Sequence, residues 1–262
     1  MKLSISNIAW TAQDDEYIYS LMKELSFTGL EIAPTRIFPD TPYDRLDEAS
    51  KWREHIRKDY GFEIPSMQSI WYGRKELVFG SEEERKALID YTKKAIDFAA
   101  VTGCGNLVFG CPKNRNVPEG KSSETGVGFF REICDYAAEK GTFIGIEANP
   151  VIYGTNYITG TEEAIALIKN VDSPGCRLNV DVGTMIYNNE SAELLEGRVN
   201  LVSHVHISEP GLKPIEDRPL HRDLIKVLRN EGYNRYVSIE MGKTEDTGIV
   251  ADRMRYLRSI IG

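Results

Sequence analysis

Hydrophobic and polar positions along this chain switch repeatedly between two periods. Short apolar runs rich in β-branched residues, with side chains alternating in character, predict strands at 3–9 (LSISNIA), 29–34 (GLEIAP), 64–71 (IPSMQSIW) and 106–110 (NLVFG). The same pattern predicts strands at 143–148 (FIGIEA), 177–182 (RLNVDV), 202–207 (VSHVHI) and 236–241 (YVSIEM). Between them, apolar residues recur every third or fourth position and predict helices at 14–26, 44–60, 81–103, 123–140, 159–171, 191–197, 221–231 and 246–261. The helix SEEERKALIDYTKKAIDFAAVTG opens with Ser81 and carries Glu84 three residues on, the arrangement of a capping box. Thr159 and Glu162 repeat the device.

Strand–helix units repeating at a spacing of roughly 30 residues, with no linker between them, fit a single (β/α)8 barrel over residues 1–262. A doubly wound open sheet is the alternative, but the loop after the first strand (SNIAWTAQ) lacks the G-x-G-x-x-G turn that would cradle a phosphate.

Composition narrows the class of function. The chain has 41% hydrophobic and 27% charged residues and a net charge of −8, an ordinary globular balance without the basic stripe of a nucleic-acid surface. The N-terminal stretch MKLSISNIAWTAQDDE makes a poor signal peptide, and no apolar run reaches the ~18 residues of a membrane span. Cys104, Cys111, Cys134 and Cys176 are far apart with no C-x-x-C pair, so a reduced, cytoplasmic setting is expected rather than a disulfide framework or zinc ribbon.

In a barrel strand, alternate side chains face the axis. Strand 202–207 puts Val202, His204 and His206 on one face and Ser203, Val205 and Ile207 on the other. Likewise Glu147, Asn179 with Asp181, and Glu240 oppose the apolar residues of their strands. The apolar sets suit a helix layer, so the polar sets face the axis, near the strand ends where barrels of this kind carry their active sites. Taken singly, each is as well explained as a buried polar residue with local hydrogen bonds. Four in one phase on successive strands predict a common site. Carboxylates gathered there need a cation, and Glu147, Asp181, His206 and Glu240 form a mostly hard donor set for one divalent ion, Mn2+ or Mg2+ ahead of Co2+ or Zn2+. His204 lies a layer deeper and reads as a core or supporting residue, with substrate contact as its other assignment.

Further candidates cluster near the predicted mouth. Trp10 and Gln68 to Trp71 sit at the ends of strands 1 and 3, as a wall for a sugar. Lys113 and Arg115, in GCPKNR, stand in the loop after strand 4, where they can pair with a phosphate or carboxylate; singly, each is better explained by a solvated loop with surface charges. Cys111 reads as a small filler, His55 as a helix-surface residue, and His221 as a cap or surface residue. No Ser/His/Asp arrangement or P-loop supports a hydrolase or kinase.

The run GIEANP…LNVDVGT…VSHVHISEP…GYNRYVSIEM resembles the xylose-isomerase-like TIM-barrel superfamily, which includes tagatose 3-epimerase, hydroxypyruvate isomerase, inosose dehydratase, dehydroshikimate dehydratase and endonuclease IV. The likeness covers the whole chain as strand order and is motif-specific from about 143 to 241. It implies that Glu147, Asp181, His206 and Glu240 bind one divalent ion and that Glu147 and Glu240 flank the substrate carbon as the catalytic pair. The implied activity is isomerisation or epimerisation of a small sugar, sugar phosphate or hydroxy-keto acid, by proton transfer through a metal-stabilised enediolate. A metal-dependent dehydratase (a carbon–oxygen lyase) and a non-catalytic sugar-binding barrel are the alternatives. Glu209 matches an acidic residue common three places after the histidine ligand and is a substrate-contact candidate. Where the tagatose-type epimerases carry a Glu, a His and an Arg that orient a ketose, this chain has Tyr153, Thr184 and Leu212. The trinuclear zinc site of endonuclease IV needs more histidines than the four present here. The expected partner is a small carbohydrate, with no nucleic acid or membrane, and homo-oligomers are common in the group.

Overall fold

The computed structural model describes residues 1–262. Parallel strands β1 (Lys2–Ser6), β2 (Phe27–Glu31), β3 (Asn106–Phe109), β4 (Phe143–Glu147), β5 (Cys176–Asp181), β6 (Val202–Ile207) and β7 (Tyr236–Ile239) form one curled sheet in the order β2-β1-β7-β6-β5-β4-β3. Helices α1 (Asp15–Glu24), α2 (Pro34–Ile37), α3 (Leu46–His55), α4 (Glu82–Thr102), α5 (Glu124–Glu139), α6 (Thr161–Val171), α7 (Val182–Asn188), α8 (Pro219–Asn230) and α9 (Thr247–Ile261) accompany it. The architecture is a TIM barrel.

The strand expected at 64–71 is not a regular one. An extended stretch fills its place between β2 and β3 and closes the barrel by isolated bridges Gly29↔Glu63, Ile32↔Met67 and Met67↔Leu107. The amide of Leu30 donates to the Glu63 carbonyl and that of Gln68 to Ile32, while Met67 exchanges bonds with Asn106 and Val108 on the β3 side. Pro65 has no N–H to offer a ladder, and Ser69 turns the chain away with φ of 56°. Seven strands plus this bridge do the work of eight.

Helix ends follow local chemistry. Ser81 and Glu84 form the expected reciprocal capping box of α4. At α6 the helix begins two residues later than expected, and Glu163 rather than Glu162 holds Thr159, at 2.8 Å from its amide and 3.1 Å from its hydroxyl. The helix expected at 191–197 is only a 3-10 turn, Ala192–Leu195. In exchange, α7 starts directly after β5 because Asp181 caps it, accepting from the Thr184 amide at 2.6 Å. Val182 therefore opens a helix instead of ending a strand.

Apolar faces of the helices pack against the outward sides of the strands in one contiguous core, with Phe109, Phe129 and Phe130 set edge to face between β3 and α5. No helix is long and apolar enough to cross a membrane. All four cysteines are free.

Candidate active site at the carboxyl end of the barrel

Strand alternation and register bring four separate residues to one place. Glu147 ends β4, Asp181 ends β5, His206 is the penultimate residue of β6, and Glu240 directly follows β7. Asp181 lies opposite His206 in the β5–β6 register. One ligand-type atom from each of the four lies within 4.8 Å of the others. His206 Nδ1 stands 3.1 Å from Glu147 Oε2 and 3.3 Å from Glu240 Oε2. Gly110, directly after β3, leaves room here, since a Cβ would come within 2.9 Å of Glu147 Oε1.

The two glutamates are held differently. Asn149 Nδ2 donates to Glu147 Oε1 at 2.9 Å, and Asn179 Nδ2 donates to its Oε2 at 2.8 Å. Behind Asn149 lies Arg115, fully buried, donating to Asn149 Oδ1 at 3.1 Å and to the Glu147 and Ile158 carbonyls at 2.9 and 3.0 Å. Glu240 has only the imidazole contact. Asp181 is fixed by the α7 amide and by the Ser208 hydroxyl, which donates to Oδ2 at 2.5 Å.

No lysine or arginine pairs with the three carboxylates; the one ion-pair partner that Glu147 and Glu240 share is His206. Burial pushes the Glu240 carboxyl up to about 7, with His206 opposing and the other carboxylates adding to the rise. Loss of solvent and then Glu147 raise Asp181 to about 6, against the hydrogen bonds from Ser208 and Thr184. For His206, burial alone would lower the pKa, but Glu240, Glu31 and Glu147 outweigh it and hold the imidazole well above its ordinary value. Hard oxygen donors crowded together and under-neutralised fit a divalent cation.

Glu31, the last residue of β2, escaped the sequence reading. It is fully buried and faces the same histidines from across the barrel: Oε2 lies 2.6 Å from His204 Nε2, and Oε1 lies 3.0 Å from His206 Nε2. Gln68 Nε2 donates to it at 2.9 Å. Burial opposes its ionisation, but His206 and His204 hold its carboxyl far below the usual range. A signal was present, since Glu31 is a lone carboxylate inside the strand predicted at 29–34, but its partners lie 173 and 175 residues away.

The site opens into a cavity of about 310 Å³. Of the sequence candidates, Gln68, Glu147, Asp181, Glu209 and Glu240 line it, and Trp10, Lys113, Arg115 and His204 do not. Trp10 is buried, with its indole N–H donating to Asp15 at 2.7 Å. Lys113 is exposed to solvent. Arg115 turns inward under the loop because its guanidinium satisfies carbonyls there. His204 is covered by Glu31, so it supports the site and does not face the cavity. Glu209 borders the cavity, but both its oxygens are held by Arg218, at 2.6 and 2.7 Å. Ser69, Cys111 and Leu212, all lining residues, have positive φ, so backbone strain collects at this mouth. Burial pushes the Cys111 thiol up to about 12, which suits a filler and not a thiolate.

Other expectations divide. His55 is exposed and pairs with Asp59. His221 is neither a cap nor a surface residue: it is fully buried in α8, 2.9 Å from the Tyr256 hydroxyl. A bulge between Leu178 and Asn179 upsets the alternation of β6 at its start, and Ser203 donates inward to Asn106 at 2.7 Å. Tyr153 and Leu212 line the cavity. Thr184 is buried, its hydroxyl on the Ala148 carbonyl.

The family model for xylose isomerase-like TIM barrels matches residues 19–260, and the chain belongs to that family. No curated protein matches the sequence significantly. Among solved structures, it is similar to 3-keto-D-glucoside 4-epimerase (YcjR) from E. coli, with 19% identity over 99% of both chains and a TM-score of 0.77. It is also similar to D-psicose 3-epimerase from Clostridium cellulolyticum, with 17% identity over 100% of this chain and 97% of that one and a TM-score of 0.71. A sugar phosphate isomerase/epimerase from Parabacteroides distasonis gives 16% identity over 100% and 95%, with a TM-score of 0.73. At these identities the likeness establishes the fold.

Proposed function

We propose that the protein is a divalent-metal-dependent sugar isomerase or epimerase. The observation that carries this reading is a pair of glutamates, Glu147 and Glu240, facing each other across His206 Nδ1 beside Asp181 at the floor of the barrel-end cavity. The sugar epimerases and isomerases among its structural relatives support it.

Glu147, Asp181, His206 and Glu240 would hold the ion, with Mn2+ or Mg2+ suited to three carboxylates and one imidazole. When bound, the ion supplies Lewis-acid polarisation of a carbonyl and its neighbouring hydroxyl, which acidifies the adjacent C–H bond. Glu31 accepts the Nε2 proton of His206 and so leaves Nδ1 for the ion. One glutamate carboxylate takes the proton from the carbon next to the carbonyl. Return of a proton to the opposite face of that carbon gives the epimer; return to the neighbouring carbon, with the hydroxyl proton passing from one oxygen to the other, gives the aldose–ketose isomer. Asn149 and Asn179 fix both oxygens of Glu147, while Glu240 keeps more freedom to follow the proton. Tyr153 and Trp71 wall the cavity and limit water.

The test is solvent deuterium incorporation at the carbon beside the carbonyl, in the Mn2+-loaded protein offered a panel of ketoses and aldoses. Glu147→Gln and Glu240→Gln should each lower exchange by roughly 10²–10⁴-fold, the worth of a positioned base. Full turnover in either variant overturns the two-carboxylate assignment.

A further inference from the structure

We propose that the cavity takes an uncharged polyhydroxylated ligand, a free sugar or a glycoside, and turns away phosphate esters and sugar acids. This rests on the function proposed above and narrows its substrate class. Not one lysine, arginine or histidine lines the cavity, whereas four acidic residues do. The two guanidiniums bonded to the acidic or amide residues of the wall are already engaged. Arg115 is fully buried behind Glu147, with both terminal nitrogens on carbonyl oxygens and Nε buried without a partner. Arg218 grips both oxygens of Glu209.

Main-chain donors that often bind phosphate are spent as well. Helix α7 begins beside the site, but its Gly183 amide donates to Ser208 Oγ at 2.8 Å and its Thr184 amide to Asp181. The side-chain amides are turned the same way. Gln68 commits Nε2 to Ser6 and Glu31, and Asn114 commits Nδ2 to the Arg74 and Glu76 carbonyls. The Tyr153 hydroxyl accepts from the Gly211 amide at 2.7 Å, which leaves its own proton as a neutral donor.

What remains on offer is carboxylate oxygens and the neutral hydroxyls of Ser69, Tyr72 and Tyr153, with no cationic donor among the lining residues. Hydroxyl groups, which donate, complement such a lining; phosphate and carboxylate oxygens, which only accept, do not. Three site carboxylates also exceed the charge of one divalent ion, so an anionic substituent meets net negative charge at short range. Trp71, Tyr72, Pro112 and Leu212 complete the wall with apolar surface fit for the C–H faces of a sugar ring. The loop cations expected to greet a phosphate, Lys113 and Arg115, are out in solvent and behind the wall.

Calorimetric titration of the protein in excess Mn2+ tests this, using free ketoses, aldoses and methyl glycosides against the matching phosphate esters and uronic acids, with deuterium exchange followed in parallel. Neutral members should bind and exchange, and their charged counterparts should bind at least about tenfold more weakly, a difference of ~1.4 kcal/mol. Leu212→Arg, which adds a cation at the rim, should improve phosphate-ester binding relative to the parent sugar by about tenfold or more. A phosphate ester that binds wild-type protein as tightly as its parent sugar, or that alone exchanges, overturns this inference and leaves the isomerase reading standing. Exchange in neither set overturns both.

Discussion

On its Nε2 side His206 meets Glu31, which also holds His204 and Gln68; on its Nδ1 side it meets Glu147 and Glu240, with Asp181 beside them. Both groups are acidic residues and imidazoles at the carboxyl ends of barrel strands, and both have the composition of a metal site. They differ in closure and charge balance. Glu31 is fully buried, with a hydrogen-bond donor at each oxygen and its carboxyl held far down in pKa. The other group borders a cavity, and burial raises two of its carboxyls. A balanced, sealed cluster is scaffold; an open one short of positive charge is a place for a ligand. His206 joins them, so the scaffold sets the orientation of the site's one imidazole.

Opposite responses to the same chemical change would sharpen that contrast most. Glu31→Gln removes the charge that matches two buried histidines, and should cost about 3 kcal/mol of stability. For a chain of this length each kcal/mol is worth roughly 2–4 °C in Tm. It should also weaken Mn2+ binding roughly 10–100-fold, the usual loss when a ligand's outer partner goes. Glu240→Gln removes a carboxylate that is repelled by its neighbours, so without metal its Tm should hold or rise. Differential scanning calorimetry and metal titration read both, and equal loss of Tm in the two variants would break the comparison.

Metal addition gives the next effect in size. Mn2+ at 100 times its Kd should stabilise wild-type protein by about 2.7 kcal/mol. Chelation should reverse the gain, and Glu240→Gln should forfeit most of it. Retention of the full shift in Glu240→Gln together with its loss in a Glu31 variant would place the ion in the sealed cluster instead.

His221 supplies the smallest effect, and a control: a buried histidine without a carboxylate. Tyr256 accepts from the Arg218 amide at 3.3 Å and its hydroxyl lies 2.9 Å from His221 Nδ1. The other ring nitrogen, Nε2, is buried without a partner. Burial lowers this imidazole to about 4, with Glu209 opposing only in part. Unfolded chains take up the proton near pH 6.5 and the folded protein only near 4, so stability falls as pH drops through that window. By pH 5 the loss should be about 2 kcal/mol. His221→Gln should flatten the fall in Tm between pH 7 and 5 by that amount; an unchanged slope would show that His221 is not the group responsible.

Much of the site was legible because a strand's period is two and a barrel's active end is fixed. Those two constraints place Glu147, Asp181, His206 and Glu240 inward and level without any knowledge of contacts. They fail for residues whose role depends on a loop's path. Arg115 and Lys113 share one loop and differ only in which way the chain turns after Cys111, whose φ is +44°. Trp10 has the residue type of a sugar wall but finds Asp15 first. Glu31 falls in the middle of the predicted strand 29–34 and reaches the carboxyl end only because β2 runs from 27 to 31, and nothing local distinguishes a carboxylate that will meet two histidines.

By itself the sequence determined the strand–helix alternation, the inward phase of the acidic residues and the capping of α4, all set within a few residues by side-chain period and local hydrogen bonding. Only the tertiary structure decided that the stretch at 63–68 closes the barrel through bridges, that Glu31 anchors both histidines, and that the loop cations are withheld from the cavity. Those outcomes depend on which distant groups meet in a low-dielectric interior, where an unpaired charge or amide must find a partner whatever its separation along the chain.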